Sequence, residues 1–143
     1  MRYETTVPTS ADPGNVWATW IDVEHWPDWT ESVTSAERLD SGEFGVGSRA
    51  RIKQPAMRPM VWTVIEAQPG RSFVWETRTA GTQMVAGHFL ETGPSNTLNI
   101  RLSIDHSGLL AGLLGRIVGD RIRTYLRMEG EGVKRHAEAR SAR

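Results

Sequence analysis

The side chain best suited to acid–base chemistry in this sequence is His88. It lies in the run "MVAGHFLE", where Met84 and Ala86 precede it at alternate positions and Leu90 follows. Imidazole exchanges a proton near neutral pH, so a histidine on an apolar face is a candidate acid or base. Burial disfavours its charged form, and we therefore expect it to be neutral. No nucleophile or second acid can be placed beside it from spacing, so the catalytic residues stay unknown, with His88 as the candidate. The alternative is a core histidine bonded to backbone or to Gln54.

Other kinds of site chemistry are not indicated by the residues. The four histidines have no metal-ligand spacing and the chain has no cysteine, so we expect no metal and no cofactor. The run "GEFGVG" is glycine-rich, but no helix follows it to bind a phosphate. Basic and acidic residues are equal, at 17 each, which argues against nucleic acid as a partner.

The elements that must position His88 are strands. Turn clusters such as "LDSGEFGVG", "AQPGR", "TAGT" and "TGPSN" divide residues 32–106, as in an antiparallel meander. Between them, "ARIKQ" and "LNIRLSID" alternate apolar and polar residues. Such alternation predicts a sheet with one buried and one solvated face. The alternation in "SFVWETR" places Trp75 on the buried face. The strands around Trp62 and His88 are apolar on both faces, so the pattern does not decide which face these two side chains join.

Helices are predicted on either side of this meander. A first strand over Tyr3–Val7 is followed by a helix that Asp12 can cap and that must end before Pro27, with a turn or second short helix after it. A long helix is predicted from about Ser107 to Ala139, with a polar tail from about residue 137. Its apolar stripe comprises Leu110, Leu114, Ile117, Val118, Ile122, Tyr125 and Leu126.

Five glycines interrupt the predicted long helix: Gly112, Gly115, Gly119, Gly130 and Gly132. Each costs about 0.5–1 kcal/mol relative to alanine. A loosened first half, a close approach by a loop or partner, and a tolerated irregularity are three explanations that the sequence leaves open.

Four of the six tryptophans fall in "VWATWIDVEHWPDW". Trp17 and Trp20 are three residues apart, so they share one side of the helix and are predicted to be buried. Trp26 and Trp29 flank Pro27 and would anchor a turn, or alternatively form a lip of a ligand entrance. The neighbouring acidic residues argue against a carbohydrate or nucleic-acid platform, which would interleave aromatic and basic groups.

These motifs resemble the START-like (helix-grip) superfamily, and more narrowly its polyketide cyclase/dehydrase and lipid-transport (SRPBCC) group. The matching opening pattern is Ala11, Val16, Trp17, Trp20, Asp22, Trp26, Pro27 and Trp29, and "GSRARIKQP", "VWTVIEAQPGRSFVW" and "GHFLE" continue it. The resemblance implies an α+β fold, with a curved antiparallel sheet of about seven strands around a long C-terminal helix. Two short helices would follow the first strand, and residues 1–143 would form one domain.

The resemblance also implies a cavity between sheet and long helix. Candidate ligand contacts are Gln54, Trp62, Trp75, Met84, His88, Leu102 and Tyr125. The alternative is that Trp62 and Trp75 fill a packed interior and contact no ligand.

The expected function is binding of a small or medium hydrophobic molecule that is lipid-, polyketide- or aromatic-like. One alternative is a cofactor-independent cyclase, dehydratase or hydrolase that uses His88 as acid/base. Another is a non-catalytic interaction or stress-response module. The N-terminus has no signal-peptide pattern and no apolar run would span a membrane. We therefore expect a cytoplasmic protein. We also expect it to be a monomer or a weak homodimer.

Overall fold

The computed structural model describes residues 1–113 and 115–142. Its strands are β1 (Arg2–Thr9), β2 (Ser35–Arg38), β3 (Arg49–Lys53), β4 (Met60–Gln68), β5 (Ser72–Thr79), β6 (Thr82–Thr92) and β7 (Leu98–Ser107). They form one seven-stranded sheet in the order β1-β7-β6-β5-β4-β3-β2. Each neighbouring pair is antiparallel. The predicted meander is confirmed, with β1 added beside the last strand.

The helices are α1 (Pro13–Ile21), a 3-10 helix (Val23–Asp28), α2 (Leu109–Leu113) and α3 (Gly115–Ser141). The C-terminal helical segment starts later than predicted, because Ser107 still pairs with Gln83 as the last residue of β7. Asp12 occupies the N-cap position of α1 but makes no side-chain cap bond. None of the described helices is long and apolar enough to cross a membrane.

The buried side of α3 differs in part from the predicted stripe. Ile122, Leu126 and Val133 are buried, whereas Ile117 is 70% exposed. At about 100° per residue, Ile117 falls on the face opposite to those three. The sequence pattern counted it as core because it is apolar, and its angle excludes it. Leu114 and the side chain of Leu110 lie outside the described residues.

The polar tail predicted from about residue 137 is instead the last turns of α3. Ala137 is fully buried. The hydroxyl of Ser141 accepts hydrogen bonds from the backbone N–H of Asp12 at 3.0 Å and from Asn15 Nδ2 at 2.7 Å. The end of α3 is therefore docked against the start of α1.

The tryptophans after β1 anchor the helices to the sheet. Trp20, Trp26 and Trp29 are buried, with exposures of 0%, 2% and 7%. Trp26 Nε1 donates to the carbonyl of Trp20 at 3.0 Å, which ties the 3-10 helix to α1. Trp17 is only half-buried and meets Phe73 edge-on at 6.2 Å. The prediction of burial is confirmed for Trp20 and too strong for Trp17, which lies at the margin of the core.

Two of the helix glycines mark close approaches. A Cβ on Gly132 would overlap the backbone carbonyl oxygen of Trp29, and one on Gly119 would lie 2.8 Å from the hydroxyl of Tyr3. Close approach is thus the explanation that the structure supports at these positions. At Gly112, by contrast, no atom of residues 1–113 and 115–142 that the structure describes lies within 4 Å of an added Cβ.

Candidate functional site

The inner face of the sheet carries most of the predicted contacts. Trp62, Trp75, Met84 and His88 are all 6% exposed or less. The pairing of β5 with β6 places Phe73 opposite His88 and Trp75 opposite Ala86. Side chains of directly opposed residues project to the same face. The parity that the sequence left open around Trp62 and His88 is therefore inward for both.

Two small cavities lie between this face and α3, each of about 50 Å³. The first is lined by Gln54, Met57, Trp62, Met84, Ile104, Ile122, Tyr125, Leu126 and Glu129. The second is lined by Trp26, Val33, Ile52, Gln54, Trp62, Trp75, Ala86, His88, Ile104 and Glu129. Four residues belong to both walls: Gln54, Trp62, Ile104 and Glu129. The cavities therefore adjoin each other.

Leu102 is the predicted contact that lies elsewhere. It is 1% exposed but is not among the residues that line either cavity. Its Cδ1 lies 3.7 Å from where a Cβ on Gly130 would stand. Leu102 has the expected inward direction, but α3 crosses directly above it and closes the space there. We therefore assign it to the core rather than to the cavity wall.

His88 is held among aromatic rings. Its imidazole stacks on Phe73 at 3.9 Å, and the rings of Trp20, Trp26 and Trp75 lie 5.6–5.9 Å away. Nδ1 lies 3.4 Å from the carbonyl oxygen of Phe73, which is long for a hydrogen bond. A carbonyl oxygen can only accept, so Nδ1 carries a hydrogen. This leaves Nε2 as the nitrogen that can act in the cavity.

A carboxylate that the sequence reasoning missed faces that nitrogen. Glu129 Oε1 lies 3.2 Å from His88 Nε2, and the Glu129 side chain is only 14% exposed. The distance is that of an ion pair, yet the angles are not those of a hydrogen bond: Oε1 has no hydrogen-bond partner in the described part of the chain. The second acid that spacing could not place beside His88 is therefore Glu129. A signal was present, because Glu129 follows Ile122 and Tyr125 at helical spacing on the inward side of α3.

The Nε2 of His88 and the Oε1 of Glu129 therefore face each other on the cavity wall, 3.2 Å apart. Imidazole and carboxyl groups are the kinds of side chain that act as acids and bases in other sites. We call these two residues the His88–Glu129 pair.

The loop between β3 and β4 lines one side of the first cavity. The hydroxyl of Tyr125 donates to the backbone carbonyl of Pro55, and Met57 from the same loop lines the cavity. Ala56 has a φ of 60°, a conformation that costs a non-glycine residue about 1–3 kcal/mol. The hydroxyl of Tyr125 thus ties α3 to a locally strained loop.

A wider groove on the outside of the protein is a poorer candidate. It measures about 830 Å³ and lies between the turn around Trp29 and α3, with Arg127, Glu131 and Arg135 on its walls. Ligand sites are enclosed and mostly apolar, and this groove is open and charged. Within the described residues, no three His, Asp or Glu side chains come together to hold a metal ion.

A seven-stranded antiparallel sheet that packs around a long C-terminal helix, with small cavities between them, defines a START-like, helix-grip protein. The chain belongs to the family described as polyketide cyclase / dehydrase and lipid transport, whose model matches residues 1–138. No curated protein sequence matches the chain significantly.

Solved structures agree on the fold. TTHA0849 from Thermus thermophilus is similar with a TM-score of 0.77 and 16% identity, over 99% of both chains. The di-domain ARO/CYC BexL from the BE-7585A biosynthetic pathway has a TM-score of 0.70 and 16% identity; the match covers 93% of this chain and 46% of BexL. Ara h 8.0201 has a TM-score of 0.64 and 11% identity, over 93% of this chain and 97% of the other.

Proposed function

We propose that this protein binds a small or medium apolar molecule between its sheet and α3. The supporting observation is the pair of adjoining cavities, which share four wall residues and are otherwise lined mainly by aromatic and aliphatic side chains. Burying a ligand there would contribute about 25 cal/mol per Å² of apolar surface before ordering costs. Gln54, His88 and Tyr125 supply polar groups that orient it.

The ligand enters by widening this space. A cavity that holds one benzene ring measures about 150 Å³, more than either cavity of about 50 Å³. Gln54 and Met57 lie in the loop between β3 and β4, which Tyr125 holds through its hydrogen bond to Pro55. Breaking that hydrogen bond and rotating the side chains of Gln54 and Met57 would join the cavities without moving the sheet. The bound state therefore differs from the described one in the loop between β3 and β4.

A cavity-filling variant tests this proposal. Ala86 lies on the wall of the second cavity and is 6% exposed, so Ala86→Phe puts a ring where the ligand would lie. The control is Val61→Phe, which adds the same ring at a position that is 36% exposed. The wild type and the control should bind the neutral dye N-phenyl-1-naphthylamine with a rise in fluorescence, and Ala86→Phe should lose it. Equal binding by all three would show that the dye binds elsewhere.

The contact between His88 and Glu129 favours a second candidate, an enzyme of the cyclase/dehydratase type. A positioned acid or base contributes about 10²–10⁴ in rate. If the pair is catalytic, His88→Ala should still bind a converted substrate but turn it over more slowly by that factor. If His88 only orients the ligand, the same change should weaken binding by about 1–3 kcal/mol. Exclusion of every apolar probe by the wild type would instead support the third alternative, a non-catalytic interaction module.

A further inference from the structure

We propose that Glu129 is the acceptor for a hydroxyl group of the ligand, which makes the ligand a neutral apolar molecule carrying an alcohol or phenol. This inference rests on the proposed function, because it concerns the same interior space. It adds a residue outside the predicted contacts and names the polar chemistry that the ligand must bring.

The first ground is the unfilled capacity of the carboxylate. Oε1 of Glu129 is buried without a hydrogen-bond partner in the described part of the chain, although such a buried polar atom normally has one. Trp20 Nε1 and Arg38 Nε share that condition, but neither residue lines either of the two interior cavities. Glu129 lines both cavities. A ligand there lies within reach of a carboxylate oxygen that faces His88 Nε2 at 3.2 Å but accepts no hydrogen bond within the described part of the chain.

The second ground is charge. The walls around Glu129 are mainly aromatic and aliphatic, so a charged ligand would lose its hydration there at high cost. A hydroxyl donates one hydrogen bond and brings no charge. A ligand whose only polar group is a carbonyl has nothing to donate to Oε1.

The third ground is the neighbour that completes the contact. Gln54 lines the same two cavities as Glu129. A hydroxyl has one hydrogen to donate and lone pairs to accept with, and a side-chain amide offers N–H donors. The hydroxyl of the ligand can therefore donate to Glu129 and accept from Gln54 at the point where the two cavities adjoin. The apolar part of the ligand then lies along Trp62 and Trp75.

The test compares three small probes of nearly the same shape: p-cresol, p-xylene and 4-methylbenzylamine. The first two differ by a hydroxyl in place of a methyl group, and the third carries a cation. Dissociation constants are measured by titration calorimetry on the full chain. Since hydrogen bonds to charged groups are the stronger kind, the wild type should bind p-cresol about tenfold or more tightly than p-xylene. Glu129→Leu should abolish that preference while keeping p-xylene binding.

The matched control is Glu131→Leu, which makes the same change at an exposed position two residues further along α3; its preference should equal that of the wild type. If Glu129→Leu does not fold by circular dichroism, Glu129→Gln replaces it and should reduce the preference, because a neutral acceptor is weaker. Equal binding of p-cresol and p-xylene by the wild type would overturn the hydroxyl inference and leave the proposed function standing. Tightest binding of 4-methylbenzylamine would also overturn it. Binding of none of the three would contradict the proposed function itself.

Discussion

The distance between α3 and the rest of the protein is set at Gly132, and Gly132→Ala tests this. The added Cβ would overlap the carbonyl oxygen of Trp29 and lie 3.1 Å from Cε3 of its indole. The carbonyl is backbone and cannot rotate away, so the helix or the turn must shift. Overpacking of this kind costs about 1–3 kcal/mol, while alanine gains about 0.5–1 kcal/mol of helix propensity over glycine. We expect a net loss of about 1–2 kcal/mol.

Gly112→Ala is the matched control, because no atom of the described residues lies within 4 Å of the added Cβ. It lies in α2, so it should gain a few tenths to about 1 kcal/mol from propensity alone. The two identical substitutions should therefore move stability in opposite directions. Urea unfolding followed by tryptophan fluorescence measures both. At a typical slope of about 1–3 kcal/mol per M, Gly132→Ala should lower the midpoint by about 0.3–2 M.

The reasoning fails if Gly132→Ala is as stable as the wild type, since α3 would then lie further from Trp29 than described. The same variant also bears on function. Glu129 stands one turn before Gly132 on α3, so lifting the helix should move the carboxylate away from His88 Nε2. We expect the variant to keep binding apolar probes and to discriminate less between p-cresol and p-xylene.

The remaining predictions concern single side chains. Trp20→Ala should cost about 3–5 kcal/mol of unfolding free energy, because Trp20 is fully buried. Trp17→Ala on the same helix should cost roughly half as much. Equal losses of the two variants in urea unfolding would contradict the difference in burial. Burial, and secondarily the charged N-terminus, lower the pKa of His106 from its ordinary 6.5. The folded state then binds fewer protons than the unfolded one. The free energy of unfolding is therefore unaffected by His106 above about pH 6.5, and it falls as the pH decreases towards the pKa of His106 in the folded state. His106→Asn should flatten the fall in melting temperature between about pH 7 and pH 5, and an unchanged slope would assign that fall to other groups. Tyr125→Phe removes the bond to Pro55 and should speed both association and release of the dye in stopped-flow measurements; unchanged rates would show that the loop is not the entrance.

Alternation along the strands made the sheet and its inner face predictable. A period of two decides which way Trp75 points, whatever its strand packs against. The run around His88 is apolar on both faces, so its direction became known only from its pairing with β5. The period of two also gave Leu102 its correct direction but could not place it in relation to α3. Its burial beneath Gly130 depends on where the helix crosses the sheet, and no local pattern encodes that crossing.

The helix was harder to interpret because residue type and residue angle disagree there. Ile117 is apolar and lies on the solvent side, while Glu129 is charged and lies on the inner side. Counting apolar residues therefore included the first and left out the second. A strict reckoning of angles from Ile122, Leu126 and Val133 would have corrected both. The partner of Glu129 would have stayed unknown, because its distance to His88 follows from tertiary packing.

The position of Glu129 is what links the fold to the proposed chemistry. A buried ion pair is weak evidence of stabilisation, since apolar replacements are often neutral or better. The imidazole is fixed on the sheet by its stack on Phe73 at 3.9 Å, and the carboxylate is carried by a helix whose distance is set at Gly132. The 3.2 Å between Nε2 and Oε1 is therefore the separation of two rigid elements. In the proposed binding mode, a ligand that contacts this pair touches the sheet and the helix at once, whether the role of the pair is to hold the ligand or to transfer a proton.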